Sequence, residues 1–206
     1  MLPTNDCVVR VGEGRGFLIR YSQDFLVVTA AHCLPKFPPA HSASYLEERT
    51  YENLLGSLNE DPRVWAECFF ADPVSDIAVL GCPDNQALGE QADYFGAFVN
   101  RRTALRIASP QCETDGYVLS LAGRWMKTRV ARMGFINYSL QIDTPYPGMS
   151  GSPILNDRSF AIGVAVVGFE VGGKNEERSC GQPILVDALP GRFLKPSHLF
   201  KSKSHE

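Results

Sequence analysis

The sequence predicts an all-β protein, a barrel or sandwich, built in two halves. Short apolar segments recur along nearly the whole chain of 206 residues, and turns rich in its 18 glycines and 14 prolines separate them. Many short strands at regular spacing with such turns are typical of barrels and sandwiches. A polar, glycine-containing stretch at 81–100 is the expected link between the two halves.

The first half contains five segments of strand-like composition. Between the first two, the glycines Gly12, Gly14 and Gly16 predict a turn that opens a strand and not a helix, so a dinucleotide-binding loop is not expected. A proline-rich surface loop is predicted at 35–44, with His41 as a loop residue. The predicted strands are 8–11, 17–20, 25–29, 64–70 and 77–80.

The second half has the same alternation of strands and turns. From Leu189 onward the chain contains Pro190 and Pro196, and a short helix before a polar tail is expected there. The predicted strands are 104–107, 117–121, 128–133, 139–143, 153–155 and 162–169.

Composition and charge exclude several classes of partner. The formal net charge is −3, so no general attraction to nucleic acid or anionic lipid is expected. The basic residues within 124–132 alternate with apolar ones, as in a half-exposed pair of strands. No apolar run approaches the 18 or so residues of a membrane span. Neither a nucleic acid nor a membrane is therefore predicted as a partner.

The first residues and the cysteines indicate the cellular compartment in which the protein is expected. The start of the chain shows neither a basic segment nor a long apolar one, so a cytoplasmic protein is predicted, the alternative being a secreted protein whose leader was removed. The six cysteines show no CxxC spacing, which argues against a zinc site. Mostly free thiols are predicted, as in a reducing compartment, and disulfides are the alternative.

Three residues, each beside an apolar strand, have the chemistry of an acyl-transfer triad. His32 follows the strand at 25–29, Asp76 precedes the strand at 77–80, and Ser150 lies in a glycine-rich turn. A serine needs an adjacent base, a histidine titrates near neutral pH, and a carboxylate orients the imidazole. Taken singly, His32 and Asp76 fit structural roles, and Ser152 is an alternative to Ser150; their joint occurrence favours the triad.

The turn before the serine has the composition of an oxyanion site. Glycine at position 148 lets the backbone turn so that amide N–H groups point outward. The N–H groups of Gly148 and Ser150 are therefore the predicted donors to the oxyanion of a tetrahedral intermediate.

Three sequence motifs resemble those of the trypsin-fold serine proteases. They are Gly-Arg-Gly-Phe-Leu-Ile at 14–19, Ser-Asp-Ile-Ala-Val-Leu at 75–80 and Gln-Ile-Asp at 141–143 leading to Gly-Met-Ser-Gly-Ser-Pro at 148–153. The resemblance runs from about residue 12 to 187 and is strongest to the bacterial HtrA-type and glutamyl-endopeptidase-type branch, without a PDZ module.

The resemblance implies two six-stranded Greek-key barrels packed orthogonally, with the active site in the cleft between them. The N-terminal barrel, 1–92, would carry His32 and Asp76. The C-terminal barrel, 93–206, would carry Ser150, the oxyanion hole, the specificity pocket and a short tail.

Two departures from the family pattern have consequences. Met149 stands where zymogen-type relatives have an aspartate, and no Ile-Val-Gly-Gly start is present, so activation by insertion of a new N-terminus is not expected. A serine that commonly supports the catalytic aspartate is absent from 163–168, so Asp76 is expected to have fewer hydrogen-bond donors.

The resemblance also locates a specificity pocket. Its floor would be Thr144, which cannot pair with a basic side chain, and its walls would be Ala165, Val166, Val167 and Gly168. A preference for small or medium uncharged side chains is predicted. The alternative is basic specificity through Asp143 or Glu170 at the rim. The edge at 166–168 would pair with the substrate backbone.

The predicted function is that of a serine endopeptidase acting on a protein or peptide, with no cofactor and no metal. The alternative is a catalytically silent pseudoprotease that binds a peptide or partner. An esterase with a nucleophile elbow is disfavoured because the chain order His, Asp, Ser differs from the order in that fold. A regulatory domain or partner protein is a further candidate for association.

Overall fold

The computed structural model describes most of the chain. The described residues are 1–39, 46–110, 113–133, 135–140, 148–166, 180–182 and 184–194.

Six strands of the first half form a closed antiparallel barrel. Their spatial order is β1-β2-β3-β6-β5-β4, and the pairing of β1 with β4 closes the barrel. Strand β6 is buried along its whole length, because β3 and β5 flank it and the barrel core covers it. The strands are β1 (Val8–Val11), β2 (Gly14–Tyr21), β3 (Asp24–Thr29), β4 (Thr50–Gly56), β5 (Val64–Asp72) and β6 (Ile77–Gly81).

Six strands of the second half form one antiparallel sheet, in the order β11-β10-β7-β8-β9-β12. Its own apolar cluster includes Val118, Val130, Ile154 and Ile162. The strands are β7 (Glu113–Leu119), β8 (Trp125–Met133), β9 (Phe135–Leu140), β10 (Pro153–Asn156), β11 (Ala161–Val164) and β12 (Cys180–Gln182).

The predicted all-β fold class is confirmed. A closed six-stranded barrel followed by a second sheet is the arrangement of the trypsin-like two-barrel fold. The helices are α1 (Leu46–Arg49), α2 (Gly89–Val99) and α3 (Leu185–Ala188). Within the described ranges no helix is long and apolar enough to cross a membrane.

The link at 81–100 contains a helix that the sequence did not indicate. Helix α2 packs against β5, and only Phe95 and Val99, one turn apart, are buried. Two buried positions give a weak amphipathic pattern, and glycines at 89 and 96 lower the helix propensity further. The helix crosses the domain boundary predicted at 92–93, and that boundary stays a prediction.

Several strand predictions need correction: β12 (Cys180–Gln182) was not predicted, and β9 begins at Phe135 instead of residue 139. Strand β4 was missed because its pairing with β5 shifts register between Tyr51 and Leu55, and Asn53 has a φ of 49°, which breaks the alternation of apolar and polar residues. The predicted strand at 104–107 is absent. Instead Leu105 bridges to Ile19 of β2 and Ile107 bridges to Ala161 of β11, so this segment joins the two halves.

Four cysteines within the described part carry free thiols: Cys7, Cys33, Cys68 and Cys82. Burial raises the pKa of the Cys7 thiol to about 12 and the pKa of Cys68 to about 11. The Cys68 thiol donates to the carbonyl of Phe70 at 3.3 Å. The prediction of free thiols is confirmed for these four, and the side chains of Cys112 and Cys180 lie outside the described structure.

The buried thiols predict an alkaline loss of stability. A thiol whose pKa rises on folding stabilises the folded state fully below the unfolded-state pKa of about 9, and this contribution is lost as the pH rises through the folded-state value near 11. Between pH 8 and pH 10 the free energy of unfolding should fall by about 1 kcal/mol for each such thiol. Urea unfolding at both pH values measures this fall, which should be about 1 kcal/mol smaller in Cys68→Ala. An equal fall in both proteins would contradict the assignment.

Candidate active site

His32 lies on a single 3-10 turn, Ala31–Cys33, directly after β3. The N–H of Cys33 donates to the carbonyl of Ala30, and the N–H of Leu34 donates to that of Ala31. The side chains on either side of His32 are buried, whereas its imidazole is 47% exposed. The turn is thus anchored by its apolar residues and presents the imidazole to solvent.

Asp76 faces His32 with both carboxylate oxygens. His32 Nδ1 lies 2.6 Å from Oδ2, and the main-chain N–H of His32 donates to Oδ1 at 2.9 Å. The N–H of Ala31 donates to the main-chain carbonyl of Asp76 at 3.1 Å. With its proton on Nδ1, the imidazole presents Nε2 as a proton acceptor.

The backbone of Asp76 is constrained as well. Its φ is 50°, a left-handed conformation that aspartate and asparagine adopt more readily than most residues. This conformation lies directly before β6 and turns the carboxylate toward His32. Two hydrogen bonds from one residue, His32, orient the carboxylate, although the segment 163–168 offers it no serine.

Ser150 lies in a tight turn between two glycines with positive φ, 91° at Gly148 and 84° at Gly151. The carbonyl of Ser150 accepts the N–H of Arg15 on β2 at 2.7 Å. A Cβ atom at Gly151 would lie 1.7 Å from the carbonyl oxygen of Arg15. Only glycine fits at 151, because the turn packs directly on the backbone of β2.

The turns that carry His32 and Ser150 are in contact. The thiol of Cys33, the residue after His32, lies 3.7 Å from the carbonyl oxygen of Ser150 as a hydrogen-bond donor. Burial raises the pKa of this thiol to about 11, so it is protonated at neutral pH. The turn that carries Ser150 therefore contacts the turn that carries His32, with His32 and Asp76 on the closed barrel and Ser150 beside the second sheet.

The main-chain amides of the Ser150 turn divide into two groups. The N–H of Gly151 donates to Ala165 at 2.7 Å, and the N–H of Ser152 donates to Met149 at 3.0 Å. Among the hydrogen bonds between described residues, none uses the N–H of Gly148 or Ser150. An oxyanion site needs amide donors of this kind, and the assignment of Gly148 and Ser150 to one stays a prediction.

Ser152, the alternative to Ser150, is fully buried, whereas Ser150 retains 6% exposure. The Ser152 hydroxyl has no partner within the described part of the chain. Its main-chain carbonyl accepts the N–H of Ala165 at 2.8 Å, so it helps to hold β10 beside residue 165. A substrate cannot reach a fully buried hydroxyl, and this favours Ser150.

The predicted specificity pocket is described only in part. Ala165 is buried and Val166 is half-buried. Thr144, Val167 and Gly168 lie outside the described residues, so the pocket stays a prediction. Among the described residues, no group of three or more histidine, cysteine or acidic side chains could hold a metal ion.

Sequence reasoning missed the residues of β2 and β3 that support the Ser150 turn. The Thr29 hydroxyl donates to the carbonyl of Arg15 at 2.6 Å. A Cβ atom at Gly14 would lie 2.8 Å from the carbonyl oxygen of Ser150 and 2.4 Å from Cys33 Sγ. The available signal was a charged residue between two glycines at the start of an apolar strand, which is typical of close backbone approach.

A separate groove of ≈1260 Å³ lies along α2 and residues 57–60. Its lining includes Tyr94 and Phe98 but none of the predicted site residues. The candidate site is therefore identified by its hydrogen bonds and not by the volume of a cavity.

Comparisons with known proteins identify a family for most of the chain. A family model described as a trypsin-like peptidase domain matches residues 14–164, which include His32, Asp76 and Ser150. No curated protein matches the chain. Among solved structures, the chain is similar to a crystal structure of the Rv3671c protease in its inactive form, at 20% identity and a TM-score of 0.45, over 78% of this chain and 77% of that one.

Replacing Gly151 tests the packing of the Ser150 turn on β2. Gly151→Ala should lower the free energy of unfolding by about 3 kcal/mol, because the methyl group meets the Arg15 carbonyl and φ is positive. Gly96→Ala in α2 is the matched control, since nothing lies within 4 Å of its added Cβ. That control should stabilise the protein by about 0.5–1 kcal/mol. Urea unfolding of both variants measures the contrast, and similar values would contradict it.

Proposed function

The chain belongs to the family of trypsin-like peptidase domains, and from this premise we propose that it is a serine endopeptidase acting through an acyl-enzyme on Ser150. The observation that carries the proposal is the double hydrogen bond between Asp76 and His32, beside the turn of Ser150. In this proposal His32 is the general base and acid, and Asp76 orients its imidazole.

The first half-reaction acylates the serine. The Ser150 hydroxyl oxygen attacks the carbonyl carbon of the scissile peptide, and its proton passes to Nε2 of His32. The carboxylate of Asp76 stabilises the imidazolium. The tetrahedral intermediate then collapses, the peptide C–N bond breaks, and Nε2 returns the proton to the leaving amine.

The second half-reaction releases the acid product. Water attacks the acyl carbon and gives a proton to Nε2, the ester bond to Ser150 breaks, and Nε2 returns that proton to the serine oxygen. In both halves the N–H groups of Gly148 and Ser150 stabilise the oxyanion. One such donor is worth roughly 3–4 kcal/mol of barrier.

The proposed substrate is a protein or peptide with a small or medium uncharged side chain at the cleavage site. Thr144, Ala165, Val166, Val167 and Gly168 form the neutral pocket in this proposal, and the edge at 166–168 pairs with the substrate backbone. Basic specificity through Asp143 or Glu170 is the alternative. The same proposal includes a relationship to the HtrA-type and glutamyl-endopeptidase-type branch. It also includes a cytoplasmic location.

The second candidate function is that of a binding module in which the cleft holds a peptide without cutting it. The 6% exposure of Ser150 is the observation that favours it. A serine with so little accessible surface offers a substrate little to react with, and this favours binding without cleavage.

Covalent labelling of the serine separates the two candidates. Incubation with a fluorophosphonate should add one adduct to the wild type and none to Ser150→Ala, as measured by intact mass. Asp76→Asn should label about 10⁴-fold more slowly, because the imidazole tautomer is no longer fixed. Asparagine also adopts the left-handed conformation at position 76, so the fold should persist.

Ser152→Ala is the matched control and should label at the wild-type rate. Labelling of Ser150→Ala, or equal rates in the wild type and Asp76→Asn, would contradict the proposed roles. An unlabelled wild type would favour the binding module.

A further inference from the structure

Arg15 is a charged side chain in the interior between the two halves, and the reaction scheme above does not use it. The residue is only 6% exposed, and burial lowers the pKa of its guanidinium. Its Nη1 donates to the carbonyl of Leu119 at 2.8 Å and to that of Ser120 at 3.1 Å. Burying a cation is costly unless it is hydrogen-bonded, so these bonds hold the end of β7 to β2.

The same residue holds the Ser150 turn through its main chain. The N–H of Arg15 donates to the carbonyl of Ser150, and its own carbonyl packs against Gly151 while it accepts the hydroxyl of Thr29. These contacts leave the guanidinium free to act on another element. Main chain and side chain of Arg15 therefore contact two different segments of the second half.

The two segments meet at Gly148. The turn after β7 is closed by the N–H of Gly123 donating to Ser120, and the Ser120 carbonyl is one of those held by Arg15. From this turn Leu121 reaches Gly148, where an added Cβ would lie 3.7 Å from Leu121 Cδ2. The guanidinium thus holds the turn whose Leu121 side chain lies near Gly148, the first oxyanion residue of the proposal.

We infer that Arg15 is a positioning residue for the oxyanion turn at 148–151, acting on Ser150 through its main chain and on Gly148 through the turn at 119–123. The expected effect of Arg15 on the reaction rate rests on the proposed function. Its expected effect on the position of the turn rests on the geometry alone. Displacement of an oxyanion donor by about 1 Å can cost on the order of 100-fold in rate.

The test uses three variants of the full chain. Arg15→Met keeps the length and apolar stem of the side chain but removes the donors. Arg15→Lys restores one charged donor group. Arg10→Met is the matched control, because Arg10 is the cross-strand partner of Arg15 on β1 and its guanidinium contacts Glu60, Asp61 and the carbonyl of Gly12 instead.

The first readout is the kinetics of fluorophosphonate labelling. Arg15→Met should lower the maximal labelling rate by about 10- to 100-fold with little change in the half-saturating concentration, because the defect lies in the oxyanion turn. Arg15→Lys should recover part of the rate, and Arg10→Met should match the wild type. Equal rates in Arg15→Met and Arg10→Met would overturn the inference.

The second readout does not depend on activity. Hydrogen–deuterium exchange should be faster in Arg15→Met at residues 119–124 and 148–152 and unchanged in Arg10→Met. If the wild type is not labelled at all, the proposed function fails, and this exchange pattern still decides the inference. Unchanged exchange at 148–152 would overturn it.

If the loss of the buried guanidinium in Arg15→Met unfolds the protein, Leu121→Ala is the variant that tests the inference instead. Leu121 is 49% exposed, so its truncation should leave the thermal midpoint nearly unchanged. It should nevertheless slow labelling severalfold and speed exchange at 148–152, since it removes the side chain that lies near Gly148. A wild-type labelling rate and wild-type exchange in Leu121→Ala would contradict the route through this turn.

Discussion

The contact between strand β2 and the Ser150 turn is the constraint on which the rest of the site depends. The N–H of Arg15 reaches the carbonyl of Ser150 at 2.7 Å, and Gly151 lies against the Arg15 carbonyl with no room for a Cβ atom. Backbone packed on backbone leaves little freedom. Because β2 belongs to the closed barrel that also carries His32 and Asp76, this contact sets the position of the Ser150 turn relative to that pair.

The barrel and the turn contribute different properties to the site. In the barrel, β3 lies beside β6. His32, which follows β3, and Asp76, which precedes β6, are therefore close enough to form a hydrogen bond. The hydrogen bond between their side chains is short, and the backbone of the aspartate has a left-handed conformation. In the turn, which contains two glycines of positive φ, the N–H groups of Gly148 and Ser150 donate to no other described residue. Rigid strands thus hold the pair proposed to transfer protons, His32 and Asp76. Glycines give the turn of Ser150, the proposed oxyanion turn, its shape.

The candidate triad could be proposed from sequence because each of its residues lies next to a regular apolar strand. Thr29 ends β3 and Ile77 begins β6, so His32 and Asp76 follow from the strand pattern. Helix α2 could not be predicted, since two buried residues give little periodicity. Strand β4 was hidden by the register shift near Asn53. The role of Arg15 was also beyond prediction, because its partners are carbonyls of a segment about 100 residues away.

The most direct test of this account is a crystal structure of the protein after reaction with a fluorophosphonate. The account predicts phosphorus bonded to Ser150 Oγ, with the phosphoryl oxygen within about 2.7–3.1 Å of the amide nitrogens of Gly148 and Ser150. The Arg15 N–H should still donate to the Ser150 carbonyl. An adduct on another side chain, or a phosphoryl oxygen directed away from both amides, would contradict it.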